Sequence, residues 1–423
     1  KEPELHKEEN VTDLKPLPVF EKVPSSTSHL EFTNSIKENV ATLDNLFSFD
    51  YFYNGAGVGV EDLNNDGLLD IFFCGNQVPN KLYLNNGDLQ FTDISESSGI
   101  NIGKNWSNGI TFVDINNDGY KDIYVSQGGP KDRNNRKNLL YINNKDLTFT
   151  EKAEEYGLAD MGISTQSAFF DYDNDGDLDC VVMNENEIYG VDPINFYKII
   201  ANNKDVKYFN SSHIYNNDNG KFVDATISSG VQNPIYGLGL CVSDINKDGW
   251  LDIYFTSDYY IPDALYINQK DGTFSEEIKN YTQQISYYGM GIDIADINSD
   301  SKEDIFTLDM SSSDHVRAKT LMASMNTKRF DYLINTAGFH YQYMFNSLQL
   351  NLGNNKYNNI AQLTETANTD WSWSVLMSDF DNDEDNDIYI SNGYRKYALD
   401  NDLQNKVFAT QQKFGRNVPL ELK

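Results

Sequence analysis

The apolar positions fall into short runs, and outside two stretches they show no helical period. Four kinds of run recur in fixed order. The first is rich in glycine and small apolar residues, at 55–60, 109–113, 237–242 and 289–294. The second follows a polar loop and is strongly apolar, at 71–74, 123–125, 180–183, 253–255, 305–308 and 388–390. The third lies at 81–84, 139–142, 213–215, 264–267 and 347–350, and the fourth, opening on an aromatic ring, at 91–94, 149–151, 222–224, 274–276 and 357–360. Such runs are too short for helices, and Gly, Asn and Asp bound them, so they predict strands. Four strands per unit, with the loop recurring every 52 to 83 residues, is the pattern of an all-β propeller of four-stranded blades. Small residues in the first strand suit a crowded central channel.

Six units are visible. Residues 1–18 read as an N-terminal tether, 19–391 as the propeller and 392–423 as the start of a further insertion. Insertions at 184–212 and 309–346, predicted to be helical, interrupt the third and fifth units. Residues 19–23 read as an additional fourth-type strand that completes the last blade. That blade has no third run, so the chain is expected to stop before its ring closes.

The polar loop between first and second strands carries the chemistry. Its clearest copy places Asp171, Asp173, Asp175 and Asp179 at positions 1, 3, 5 and 9, with Gly176 at position 6 and Asp177 at position 7. The other copies use Asp62, Asn64, Asp66 and Asp70; Asp114, Asn116, Asp118 and Asp122; Asp244, Asn246, Asp248 and Asp252; Asp296, Asn298, Asp300 and Asp304; and Asp379, Asp381, Asp383 and Asp387. Leu68, Tyr120, Trp250, Lys302 and Asp385 stand at position 7, where a backbone carbonyl is the expected ligand. A ring of side-chain oxygens closed by a carbonyl suits a hard cation that takes six to eight oxygen ligands, so up to six Ca²⁺ ions are expected. Position 6 needs φ > 0, which glycine supplies. Ser301 and Glu384 replace it in the fifth and sixth copies. Strand-like flanks and the lack of a position-12 Glu exclude an EF-hand.

A net charge of −31 argues against nucleic acid as a partner, and against docking on an anionic membrane. Twenty of the 64 acidic residues are aspartates at loop positions 1, 3, 5 and 9, and bound calcium would offset them. Cys74, Cys180 and Cys241 lie in apolar runs with no paired spacing, so buried free thiols are expected. No apolar stretch reaches the length of a transmembrane helix, and no signal peptide is visible.

The loops and the aromatic fourth strand resemble FG-GAP/VCBS-type repeats. Phe52, Tyr53, Asn54 and Gly55 before the first strand, the segments 259–263 and 341–351, and Asp370, Trp371, Ser372, Trp373 and Ser374 together resemble bacterial VCBS-repeat proteins of the ASPIC/UnbV, cartilage-acidic-protein-like group. The resemblance covers about residues 19 to 400. It implies a seven-bladed calcium-binding propeller in an exported protein, a surface lipoprotein of a Gram-negative outer membrane anchored by a lipid upstream of residue 1. It further implies a place beside SusC/SusD-like uptake transporters. The chain departs from that group in lacking a seventh unit and an ASPIC/UnbV region.

No nucleophile elbow, zinc-binding helix motif or phosphate loop is present, so the expectation is a non-catalytic scaffold binding a protein partner or a glycan. A calcium-dependent polysaccharide lyase is the alternative. The insertions and their tyrosines fall on the rim opposite the loops. Tyr259 and Tyr260 are candidate contacts there, as are Arg133, Arg136, Arg317, Arg329 and Arg395, since all six arginines of the chain lie in second-to-third-strand connections or in the tail.

Overall fold

The structure, a computed structural model, describes residues 20–393 apart from 43, 47, 101–105, 130–131 and 321–326, together with residues 406 and 409. Apart from that at 19–23, the predicted strands form and pair antiparallel with their sequence neighbours. Blade 1 consists of Val58–Glu61, Asp70–Phe73, Lys81–Asn85 and Phe91–Asp93. Blade 2 consists of Ser107–Val113, Asp122–Gln127, Leu139–Asn143 and Phe149–Glu151. Blade 3 follows with Ser164–Phe170, Asp179–Asn184, His213–Asp218 and Lys221–Asp224. Blade 4 has Gly237–Ser243, Asp252–Ser257, Ala264–Asn268 and Phe274–Glu276. Blade 5 has Ile292–Ala295, Asp304–Thr307, Ser347–Asn351 and Tyr357–Asn359. Blade 6 has Asp370–Ser378 and Asp387–Asn392, and Met310–Ser311 pairs with the start of its first strand. Among the described residues blade 6 has no third strand.

The first strands stand side by side around a channel of about 700 Å³. Their glycines let neighbouring backbones touch: a Cβ on Gly109 would lie 2.3 Å from the Thr165 carbonyl, and one on Gly291 2.5 Å from that of Trp373. The second strands of blades 2, 3 and 4 are buried along their whole length. That is why they read as continuous apolar runs rather than alternating ones. Packing is blade on blade; Phe72, Cys74 and Leu82 of blade 1 meet Ile123, Val125 and Tyr141 of blade 2.

Both insertions are helical. The first contains Pro193–Asn202, capped by Asp192 with proline at its first position, and Lys204–Phe209. The second contains His315–Thr320 and Thr327–Asn335. Sequence reasoning missed a short parallel pair, Ile285–Ser286 with Gln342–Tyr343. It also missed that Phe49, Tyr51 and Phe52 bury themselves against Trp106 and Ile163 as an apolar plug beside the first strands of the ring.

The predicted strand at 19–23 does not form; residues 20–23 belong to no strand, and Val19 lies outside the described residues. The neighbourhood was read correctly, since the Phe20 ring packs against Phe380 and Tyr389 of blade 6, at 5.7 and 5.8 Å between centroids. A side-chain contact, not a backbone ladder, places it there. The tether at 1–18 and most of 392–423 lie outside the described residues.

Candidate metal loops and the opposite rim

The six loops share one internal geometry. Position 1 accepts two backbone N–H groups, from positions 5 and 6. In the third loop Asp171 Oδ1 takes the Asp175 N–H at 3.1 Å and Oδ2 that of Gly176 at 3.0 Å. The same pair recurs on Asp62, Asp114, Asp244, Asp296 and Asp379. Position 9 accepts the N–H of position 2 in every copy. Position 6 is left-handed throughout, including Ser301 at +66° and Glu384 at +75°. Position 4 is left-handed as well, at Asn65, Asn117, Asn174, Lys247, Ser299 and Asn382. Asparagine tolerates that conformation, which explains four of the six residues found there.

Carboxylates converge in two copies. One oxygen from each of Asp171, Asp173 and Asp175, and one from each of Asp379, Asp381 and Asp387, lie within 4.8 Å of one another. In the third loop, Asp173 Oδ1 and Asp177 Oδ1 are buried without a hydrogen-bond partner. Buried, unpaired carboxylate oxygens are costly unless a cation meets them. The donor set is all hard oxygen, so these residues fit Ca²⁺. The position-7 residues Leu68, Tyr120, Trp250 and Lys302 offer no side-chain oxygen that could ligate Ca²⁺ in this arrangement, leaving their carbonyls for that role.

A second repeated residue was missed. The third strand ends on Asn85, Asn143, Asn268 or Asn351, and in blade 3 Asn217 stands one residue before the end. Each N–H donates to Oδ1 of the position-9 aspartate of its own blade. Each Nδ2 donates to the position-8 carbonyl. Asn143 and Asn268 also reach across to the Leu63 and Tyr172 carbonyls of the preceding blade, both at 2.8 Å. An asparagine closing each third run was the available signal. The stapled aspartates are buried, and burial pushes Asp179 and Asp252 up to about 7 and Asp122 to about 6 despite these donated N–H groups.

On the opposite rim the tyrosines and acids form a lattice. Tyr51 donates to Asp258 Oδ2 at 2.8 Å and Tyr259 to Asp50 Oδ2 at 2.7 Å. Tyr260 is 5 % exposed and donates to the Val191 carbonyl, so the structure removes it from the candidate surface. The described arginines have partners within the chain; only Arg136 is buried, while Arg133 and Arg317 are half-buried and Arg329 is exposed. Arg133 forks onto Glu187 and lies over the Phe209 ring at 3.9 Å. Arg136, 5 % exposed, joins the same Glu187 and the Met161 and Gly162 carbonyls. Arg317 pairs with Asp370 at 2.7 Å, and Arg329 bonds Tyr287. The partners of Arg133, Arg136 and Arg317 belong to neighbouring blades or connections, so the cluster in sequence reflects how insertions are anchored. Arg395 lies outside the described residues. His213 is buried against Asp160 and stacked on Tyr208. Cys74, Cys180 and Cys241 are free thiols.

FG-GAP-like repeats match residues 62–125 and 244–307, the first loop through the second, and the fourth through the fifth. Cartilage acidic protein 1 of Xenopus tropicalis is 29% identical over 153 residues, covering 35% of this chain and 23% of the relative. The Homo sapiens protein of that name is 34% identical over 80 residues, covering 19% and 12%. The chain thus spans under a quarter of the length of the curated relatives it matches. Among solved structures, an Agrocybe aegerita lectin that recognises non-reducing terminal N-acetylglucosamine aligns with TM-score 0.44 and 15% identity, over 78% of this chain and 73% of that one. A Bacillus licheniformis rhamnogalacturonan lyase aligns with TM-score 0.40 and 12% identity, over 79% and 55%. Neither likeness bears on ligand or activity. No helix among the described residues is long and apolar enough to cross a membrane. The ring of blades makes this chain an all-β propeller, with FG-GAP-like repeats at 62–125 and 244–307.

Proposed function

We propose that the chain is a calcium-stapled, non-catalytic binding scaffold. The observation that carries this is the third loop, where three carboxylates converge and two buried carboxylate oxygens have no partner. Bound Ca²⁺ would neutralise these groups and fix the turn between first and second strands. The loop residues hold their oxygens in place through backbone N–H groups, so the ion meets a site whose ordering cost is already met by the fold. Each ion binds the folded state and hardly the unfolded one, so chelation should lower the melting temperature by several degrees or more. An unchanged melt in excess chelator refutes the calcium reading.

The partner is a protein or a glycan engaged at the insertion rim, where Tyr341 stands 48 % exposed. The finer form of the reading is an exported outer-membrane lipoprotein of a Gram-negative bacterium, accessory to a SusC/SusD-like uptake complex. It rests on the motif resemblance to the ASPIC/UnbV group. Gentle purification from the native envelope tests it: co-isolation of an outer-membrane transporter supports the scaffold. A lone protein that cleaves acidic polysaccharide would instead make it a lyase.

A further inference from the structure

Three of the six loops hold an ammonium group against position 5. Lys145 Nζ lies 3.3 Å from Asp118 Oδ2 and 3.4 Å from the Asp118 carbonyl, over the Tyr120 ring. Lys270 repeats the arrangement two blades on, 3.2 Å from Asp248 Oδ2 and 3.4 Å from the Asp248 carbonyl. In the fifth loop Lys302 reaches Asp300 Oδ2 at 2.7 Å from within the loop itself.

The first two lysines share one backbone setting. Lys145 and Lys270 stand two residues after the stapling asparagine, and each donates its own N–H to that asparagine. Both are left-handed, at φ +68° and +65°. Glycine fills the same place in blades 1 and 5, as Gly87 and Gly353, at +85° and +78°. A side chain is strained there, and strain of this kind persists where the surrounding structure demands it. In blade 5 a Cβ on Gly353 would come 3.8 Å from Lys302 Cε, so Lys302 fills from the loop side the space that a hairpin lysine fills elsewhere. The same carboxylate is thus reached from two unrelated sequence positions. Loops 1 and 3 have neither source: Gly87 and Gly220 stand in their hairpins, and Leu68 and Asp177 at position 7.

We infer that Lys145, Lys270 and Lys302 are built-in counter-cations, which make loops 2, 4 and 5 weaker and less calcium-dependent sites than loops 1 and 3. This rests on the calcium reading. An ion held by one oxygen of the position-5 carboxylate would sit roughly 5 Å from an ammonium held by the other, and repulsion between a divalent ion and a screened, half-exposed ammonium at that range lowers affinity roughly three- to tenfold. In the absence of calcium the same ammonium relieves repulsion among the loop carboxylates.

Trp250, at position 7 of loop 4, permits a site-specific test. Terbium, a lanthanide stand-in for calcium, emits when sensitised by a nearby indole. The full chain and its Lys270→Met and Lys270→Gly variants are titrated with terbium while exciting tryptophan. A variant at Lys137, which pairs with Glu154 on blade 2, serves as control. Both Lys270 variants should shift the loop-4 midpoint to three- to tenfold lower terbium, the shift shrinking in 1 M salt, and Lys137→Met should not move it. Emission with an unmoved or higher midpoint in the Lys270 variants overturns the inference and leaves the calcium reading intact. Absence of sensitised emission in every form overturns both. The two Lys270 variants differ in backbone strain, so a folding defect in one leaves the other to decide.

Discussion

Removing the blade-to-loop staple at Asn143 should cost about 3 kcal/mol of stability. Asn143 is 3 % exposed, and its side chain makes three hydrogen bonds: to the Leu63 carbonyl at 2.8 Å, to the Lys121 carbonyl at 3.1 Å, and from the Lys145 N–H at 2.9 Å. Alanine at this position leaves the buried Leu63 carbonyl and two part-buried groups, the Lys121 carbonyl and the Lys145 N–H, without that partner, and an orphaned buried group costs about 1 kcal/mol or more. The blade-3 counterpart Asn217 makes two equivalent bonds, to the Leu178 carbonyl and from the Gly220 N–H, and its loss should cost about 2 kcal/mol. Asn86, one residue beyond the blade-1 staple, is exposed and bonds only the Thr92 hydroxyl among the contacts seen, so Asn86→Ala should be near neutral. Urea unfolding of the four proteins, with and without calcium, gives the ranking, provided the slope stays constant. Should Asn143→Ala fall within about 0.5 kcal/mol of Asn86→Ala, the staple contributes nothing and the reasoning fails.

Ser301→Gly and Glu384→Gly should each stabilise by about 1 kcal/mol, because both residues occupy left-handed backbone that only glycine adopts freely; a neutral result in thermal melts of both variants would contradict the backbone argument. Burial pushes Asp263 up to about 7, so the folded chain binds more protons than the unfolded one between about pH 4 and 7, and stability is lost as pH rises through that window. Asp263→Asn keeps the contacts to the Ser257 N–H and the Tyr254 hydroxyl and should flatten that slope; an unchanged melting-temperature profile from pH 4 to 8 would rule it out. Arg136→Ala should destabilise by about 2 kcal/mol, since it strips a buried cation from Glu187 and two carbonyls; a wild-type melt together with lost partner binding would restore the interface role.

Blade number, strand order and the loops were legible because each is written as a repeated local pattern. Alternation, turn residues and the aspartate spacing carry that information along a single stretch of chain. What was missed is information held between stretches. Asn143 directly follows the third run read at 139–142, but nothing near it in sequence shows that Leu63, eighty residues away, lacks a donor. The arginines illustrate the same limit: their positions were visible, whereas their acids Glu187 and Asp370 lie 54 and 53 residues away from Arg133 and Arg317. Residues 20–23 failed as a strand because Phe20 is held by ring packing, and an apolar residue in an extended segment carries no mark of whether its backbone is paired.

The plug also sets an order of events during folding. Tyr51 and Asp50 emerge early, yet their partners Asp258 and Tyr259 lie 207 and 209 residues further on. Until blade 4 has formed the plug has no complete seat, and Phe49, Tyr51 and Phe52 lack the partners that cover them. The first four blades can stack as they appear, each on its predecessor, through contacts of modest separation. Seating the plug must wait, and long-range closures of this kind are slow. A segment that precedes its seat in the chain and docks late stays open to misassembly until that seat has formed.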